Sequence, residues 1–131
     1  MSKTNYPLVK VDWSEVKKLT QEIANKILSD NKDIDLIVPI IRGGMPIAML
    51  LSSMLDVEEM SCIHIRRSVD DTLDSKVTLD YAINLLKEYQ PKSITVAILY
   101  NFNKDTFDSI YSGEEVKEYK WVIFPWEKSE N

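Results

Sequence analysis

Along the chain, apolar positions switch between helical and strand-like spacing, and the switches mark out alternating elements. Leu8 to Val11 is a short strand or extended lead-in. Trp13, Val16, Leu19, Ile23 and Ile27 then fall on one helical face, which predicts a helix ending near Leu28. Asp12 stands as its N-cap, with Glu15 three residues on as the capping-box partner. The polar run from Ser29 to Asp35 is a loop. Leu36 to Ile40 reads LIVPI, a continuous apolar run expected of a strand buried on both faces. Pro39 inside it predicts a loosened ladder. Met45 to Leu55 reads as a helix with Pro46 in its first turn and Leu50, Leu51, Met54 and Leu55 facing inward. Ser61 to Arg67 is strand-like, with Cys62 and His64 on one face and Ile63 and Ile65 on the other. Thr78 to about Gln90 is a helix with Leu79, Ala82, Ile83, Leu86 and Tyr89 inward, and Pro91 ends it. Ile94 to Tyr100 is a strand, Asn101 to Lys120 a polar connection, and Trp121 to Phe124 the final strand. The pattern shows no linker, repeat or low-complexity tract. It predicts a single α/β domain over residues 1–131, a mostly parallel sheet with helices on both faces. In such sheets a ligand site lies at the carboxyl ends of the strands.

Composition narrows the partners more than the fold. The chain has 131 residues, with 44% hydrophobic and 28% charged positions, ordinary for a globular domain with a core. A net charge of −5 argues against a general nucleic-acid or membrane-surface binder. An anionic substrate therefore needs local cations. The single cysteine, Cys62, rules out an internal disulfide, and no cluster suggests zinc. The first residues, MSKTNYPLVK, lack a signal-peptide core, and no apolar run is long enough to span a membrane, so a cytoplasmic protein is expected.

The chemistry concentrates in two turns. The stretch from Val69 to Leu79, VDDTLDSKVTL, carries Asp70, Asp71 and Asp74 just ahead of a helix start. Unpaired backbone N–H groups there favour a phosphate, while the acids accept from sugar hydroxyls or hold a hard cation. The same residues also suit a solvated acidic turn, with Asp74 or Ser75 as a helix cap. The second turn is Ile41, Arg42, Gly43 and Gly44, which spends two of the three glycines in the chain. It fits a close backbone approach to a ligand, or simply a tight strand-to-helix turn with a surface arginine. His64, the only histidine, reads as a packed or edge residue, Cys62 as a small core residue, and Trp121 as a core aromatic at a strand start.

The order Val69, Asp70, Asp71, Asp74, Ser75, Thr78, Leu79 resembles the phosphoribosyl-diphosphate motif of the type I phosphoribosyltransferases. Lys76 stands where that family has Gly. The resemblance extends over the Tyr6–Trp13 opening, IRGGMPIAMLLSSML and the closing YSGEEVKEYKWVIFPWE, and is closest to the xanthine-guanine/hypoxanthine branch. It implies a Rossmann-like core and transfer of a phosphoribosyl group from 5-phosphoribosyl 1-diphosphate to a purine-like base, releasing pyrophosphate. It further implies that Arg42 and Gly43 form the pyrophosphate loop, with Arg42 acting through its guanidinium or a strained peptide. Asp70 and Asp71 would hold the ribose hydroxyls, with Asp71 also near Mg²⁺. Ser75, Lys76, Val77 and Thr78 would cradle the 5′-phosphate, and Asp74 would serve as acid/base near the base nitrogen. Trp121 and Val122 would hold the purine, and the assembly would be a homodimer or higher homo-oligomer. Two departures stand out. Asn101 is the nearest match to the family's base-reading Lys, with Lys104 three residues later. Only Ser68 separates Arg67 from Val69, where the family places a mobile hood and a further strand. Neighbouring parallel strands need a crossover of roughly a dozen residues, so the segment from Ser61 to Val69 is expected to form one strand running into the acidic turn. Losing the hood is expected to weaken protection of the transition state from water. The rival reading is a relative that binds nucleotides without turning them over; a third is a structural module whose acids are merely solvated.

Overall fold

A computed structural model describes residues 7–41, 43–65, 75–101, 110–116 and 121–127, with the backbone alone at 75–77 and 121. The elements run β1 (Leu8–Lys10), α1 (Trp13–Ser29), β2 (Ile40–Ile41), α2 (Met45–Leu55), β3 (Ile63–His64), α3 (Ser75–Lys87), β4 (Val96–Asn101), β5 (Ile110–Glu115) and β6 (Trp121–Ile123). Among the described residues the strands form three ladders, β1 with β6, β2 with β3 and β4 with β5. All three are parallel, as the pattern of elements predicts.

α1 is the element the core is built on. Val16, Leu19, Ile23, Ala24 and Ile27 pack with Val11, Leu51 of α2 and Leu99 of β4 in one buried cluster. Thr20 lies on the same buried side and donates its hydroxyl to the Val16 carbonyl at 2.7 Å, so no polar group is stranded there. The helix starts where the sequence says: the Asp12 carboxylate accepts the Glu15 N–H at 2.9 Å. Asp12→Ala is expected to cost about 1 kcal/mol, read as a lower urea midpoint at unchanged slope. Its end is a Schellman turn with Asn31 left-handed at φ 55°, Lys32 N–H reaching Ile27 O at 3.3 Å and Asn31 N–H reaching Leu28 O at 3.0 Å. Trp13 departs from the expected inward face: it is 54% exposed and rests its ring against Trp126.

The expected loosening at Pro39 has a visible form. Ile37 donates to Glu59 and accepts from Ser61, and Pro39 accepts from Ile63, all at 3.1 Å. The next rung would need a Pro39 N–H, which proline lacks. The ladder therefore splits into an isolated Ile37–Met60 bridge and the short β2–β3 pair. Leu36, expected inside, is 48% exposed because it precedes the paired residues. Cys62, expected in the core, is exposed together with His64, as their shared outer strand face dictates.

β4 is buried on both sides. Leu99 belongs to the α1 cluster, while Val96, Ala82 and Ile83 are buried outside it. α3 begins at Ser75, earlier than Thr78, and ends at Lys87. Tyr89 is consequently not an inward helical residue: it follows the helix end and is 83% exposed.

β5 corrects the reading of 101–120 as a plain connection. Its sequence IYSGEE has a glycine and two acids, so neither alternation nor β-branching announces a strand. It is held from outside. Lys26 of α1 donates to the Ser112 carbonyl at 2.9 Å, and the Tyr111 hydroxyl donates to Asp30, the C-cap of α1, at 2.5 Å. That bond to Asp30 also raises the Tyr111 pKa, with burial and the Asp30 charge adding to it. Gly113 is needed for this docking. A Cβ there would meet the Leu19 Cβ at 2.8 Å and the Leu99 carbonyl at 3.0 Å. Gly113→Ala is expected to lose about 1–3 kcal/mol, seen as a lower thermal midpoint. The crossover from β4 to β5 spans only residues 102–109, shorter than the roughly dozen residues expected of parallel neighbours.

Candidate functional site

The two strands that precede the chemically suggestive turns form one ladder. β2 and β3 are parallel and in register, with Ile41 opposite His64. The segments that follow them therefore emerge side by side, roughly 4.8 Å apart at the strand ends. After β2 comes the glycine turn into α2; after β3 comes the acidic stretch into α3. Arg42, Asp70, Asp71 and Asp74 themselves lie outside the described residues, as do residues 66–69 of the stretch from Ser61 to Val69 expected to form one strand. Its described part, residues 61–65, contains β3 alone.

The two glycines do different work. At Gly44 an added Cβ would sit 2.9 Å from the Ile40 carbonyl, the same oxygen that accepts the Gly44 N–H at 2.8 Å. Gly44 therefore secures the turn. At Gly43 an added Cβ would meet nothing within 4 Å, and the residue is exposed. Neither glycine has positive φ, so close approach and not backbone handedness is what they offer.

α3 opens at Ser75, which puts the backbone N–H groups of Ser75, Lys76, Val77 and Thr78 in its first turn, where helical partners are lacking. The Thr78 hydroxyl oxygen is buried without a hydrogen-bond partner among the described residues.

Trp121 and Val122 lie on β6, opposite Leu8 and Val9 of β1. Val122 lines a recess of about 340 Å³ between the β1–β6 and β4–β5 ladders, with Val9, Lys10, Val11, Asp12, Glu15, Tyr100, Glu114 and Val116. Burial, followed by the charges of Glu15 and Glu114, pushes the Tyr100 phenol above its ordinary pKa. Asn101, the buried last residue of β4, pairs with Glu115 and accepts the Val116 N–H at 2.9 Å. Sequence reasoning missed Lys10, Glu15, Tyr100 and Glu114. They come from four separate elements, and Glu114 sits in the stretch read as a connection, so no local spacing links them. Beside the recess Phe124 stacks on Trp126 at 4.8 Å between ring centres and 4° between planes, and the buried Trp126 indole N–H has no partner among the described residues.

No group of three or more His, Cys, Asp or Glu suited to a metal occurs among the described residues. No described helix is long and apolar enough to cross a membrane.

No family model matches the sequence, and no curated protein matches it closely enough to count as a relative. Solved structures do match. A purine phosphoribosyltransferase from Pyrococcus horikoshii Ot3 superposes with a TM-score of 0.77 at 22% identity, covering 95% of this chain and 96% of that one. A hypothetical protein from Neisseria gonorrhoeae with bound ppGpp gives 0.77 at 16% identity over 94% and 90% of the two chains. The Helicobacter pylori xanthine-guanine-hypoxanthine phosphoribosyltransferase gives 0.70 at 19% identity over 92% and 93%. Parallel ladders, a glycine turn after β2 and a helix opening after the acidic stretch thus belong to one recognisable architecture: the chain has the type I phosphoribosyltransferase fold.

Proposed function

We propose that the protein transfers a phosphoribosyl group from 5-phosphoribosyl 1-diphosphate to a nitrogen of a purine-like base, releasing pyrophosphate. The observation that supports this reading is the registered parallel pairing of β2 and β3, the strands that precede the Arg42–Gly43 turn and the Asp70–Asp74 acids in the sequence. Gly43 leaves open space for a diphosphate, and the first turn of α3 offers free amides to the 5′-phosphate. The buried Thr78 hydroxyl, without a partner among the described residues, supports the same assignment. The reaction passes through a cation-like sugar, so positioning and charge stabilisation supply most of the acceleration. Asp70 and Asp71 hold the ribose hydroxyls, and Asp74 moves the proton at the base nitrogen. Carboxylate oxygens together with a substrate diphosphate make a donor set that suits Mg²⁺, with Asp71 as the protein ligand. When bound, the ion neutralises charge on the leaving diphosphate. The functional unit in this reading is the single domain 1–131 as a homodimer or higher homo-oligomer, working in the cytoplasm in purine salvage.

A second reading is a nucleotide-binding or regulatory protein without turnover. The ppGpp-bound neighbour favours it, since it matches as well as the purine enzyme does. Pyrophosphate release with 5-phosphoribosyl 1-diphosphate, Mg²⁺ and a panel of bases decides between them. Release above background supports the transferase. Nucleotide binding without release supports the second reading, and neither binding nor release removes both.

A further inference from the structure

We propose that the outer face of α2 is a self-association surface, on which a second copy of this chain lays its own α2 antiparallel about a two-fold axis at Met49. This supplies a surface for the homo-oligomer of the functional reading and rests on that part of it alone, without requiring turnover. Of the three described helices, α2 alone has no charged side chain. Its sequence is MPIAMLLSSML, while α1 exposes Lys17, Lys18 and Lys26 and α3 exposes Asp80 and Lys87. The inner side of α2 is already used: Ala48 and Leu51 are buried, and Ile47 and Met54 are half-buried against the core built on α1. Its outer side is not. Met45 and Met49 are 39% and 60% exposed and Ser53 is exposed, a stripe of every fourth residue along one face. A solvated helix face normally carries charge. A face without it has the composition of an interface centre, where charged residues are depleted and Met is enriched.

The occupant follows from charge and symmetry. The chain carries a net charge of −5, so a second copy meets least repulsion on a face without charge, and α2 offers one. α2 has no acidic residue in its first turn and no basic residue in its last, and its C-cap is the exposed Asp56. Its own side chains therefore leave the helix dipole uncompensated at both ends. An antiparallel copy sets each positive end beside a negative one. The stripe is also centred, because Met45 and Ser53 each lie four residues from Met49. A two-fold axis there pairs Met49 with itself and Met45 with Ser53, a long side chain against a short one, which lets the helices approach closely.

The test is sedimentation of the full chain over a range of concentrations, for the wild type, Met49→Glu, Met49→Lys and an equimolar mixture of the two variants. The wild type is expected to dimerise. Each variant alone sets like charges together at the axis and is expected to weaken dimerisation by at least ~100-fold. The mixture sets Glu against Lys and is expected to restore a dimer. Met49 is mostly exposed, so circular dichroism of both variants should match the wild type. A wild type that stays monomeric overturns the inference, as does a dimer indifferent to both substitutions or one that the mixture does not restore. A dimer with the expected charge pattern that releases no pyrophosphate removes the transferase reading and leaves this surface standing. A monomer that releases pyrophosphate does the reverse.

Discussion

Asp74→Asn is expected to lower turnover by about 10²–10⁴-fold while leaving nucleotide affinity nearly unchanged. Asp74 immediately precedes Ser75, the first residue of α3, at the point where the acidic stretch meets the open helix start. The substitution keeps size and most hydrogen bonding but removes the titrating carboxyl. An acid/base group acts on the proton in flight, so its loss falls on the chemical step and not on ground-state binding. Asp71→Asn is the internal contrast: in the proposed reading Asp71 holds both the sugar and the metal, so affinity and turnover are expected to weaken together. Single-turnover rates paired with equilibrium binding of a nucleoside monophosphate separate the two patterns. Equal losses in both measurements for Asp74→Asn would show that the residue only holds the turn in place.

The parts of this fold that were legible in the sequence are those decided by local rules. Asp12 with Glu15 gave the start of α1, Pro46 the start of α2, and the spacing of Val16, Leu19, Ile23 and Ile27 the buried face. Pro39 announced its own missing rung. What stayed hidden is what distant contacts decide. β5 is a strand because Lys26 and Asp30 hold it and Gly113 lets it lie against Leu19, none of which shows in IYSGEE. Cys62 looked like a core residue by type, yet its place on the same strand face as His64 sent it outward. The site divides in the same way. The motif order around Asp70 to Thr78 pointed to a helix start, and α3 opens within it. The recess, assembled from β1, α1, β4, β5 and β6, was marked by Val122 alone.

Ile23→Ala is expected to remove about 2–5 kcal/mol, a large share of the roughly 5–15 kcal/mol that holds a domain of this size. Ile23 is 0% exposed and sits midway along α1, among the side chains that join α2 and β4 into one core. Removing its outer carbons leaves a cavity that Leu19, Ile27 and Leu99 cannot fill without moving the helix. Ala has the better helix propensity, so the loss cannot be ascribed to α1 itself becoming a poorer helix. Leu28→Ala is the control on the same helix. Leu28 is 52% exposed, and its truncation is expected to change stability by no more than about 0.5 kcal/mol. Because α1 also carries Glu15 into the recess and ties down β5 through Lys26, the Ile23 cavity should loosen that recess before the chain unfolds. Hydrogen exchange would then rise at Ser112 to Glu115 more than at the amides of α3, whose buried Ala82 and Ile83 stand outside the α1 cluster. Uniform acceleration across β5 and α3 would mean instead that the α1 core and α3 open as one unit.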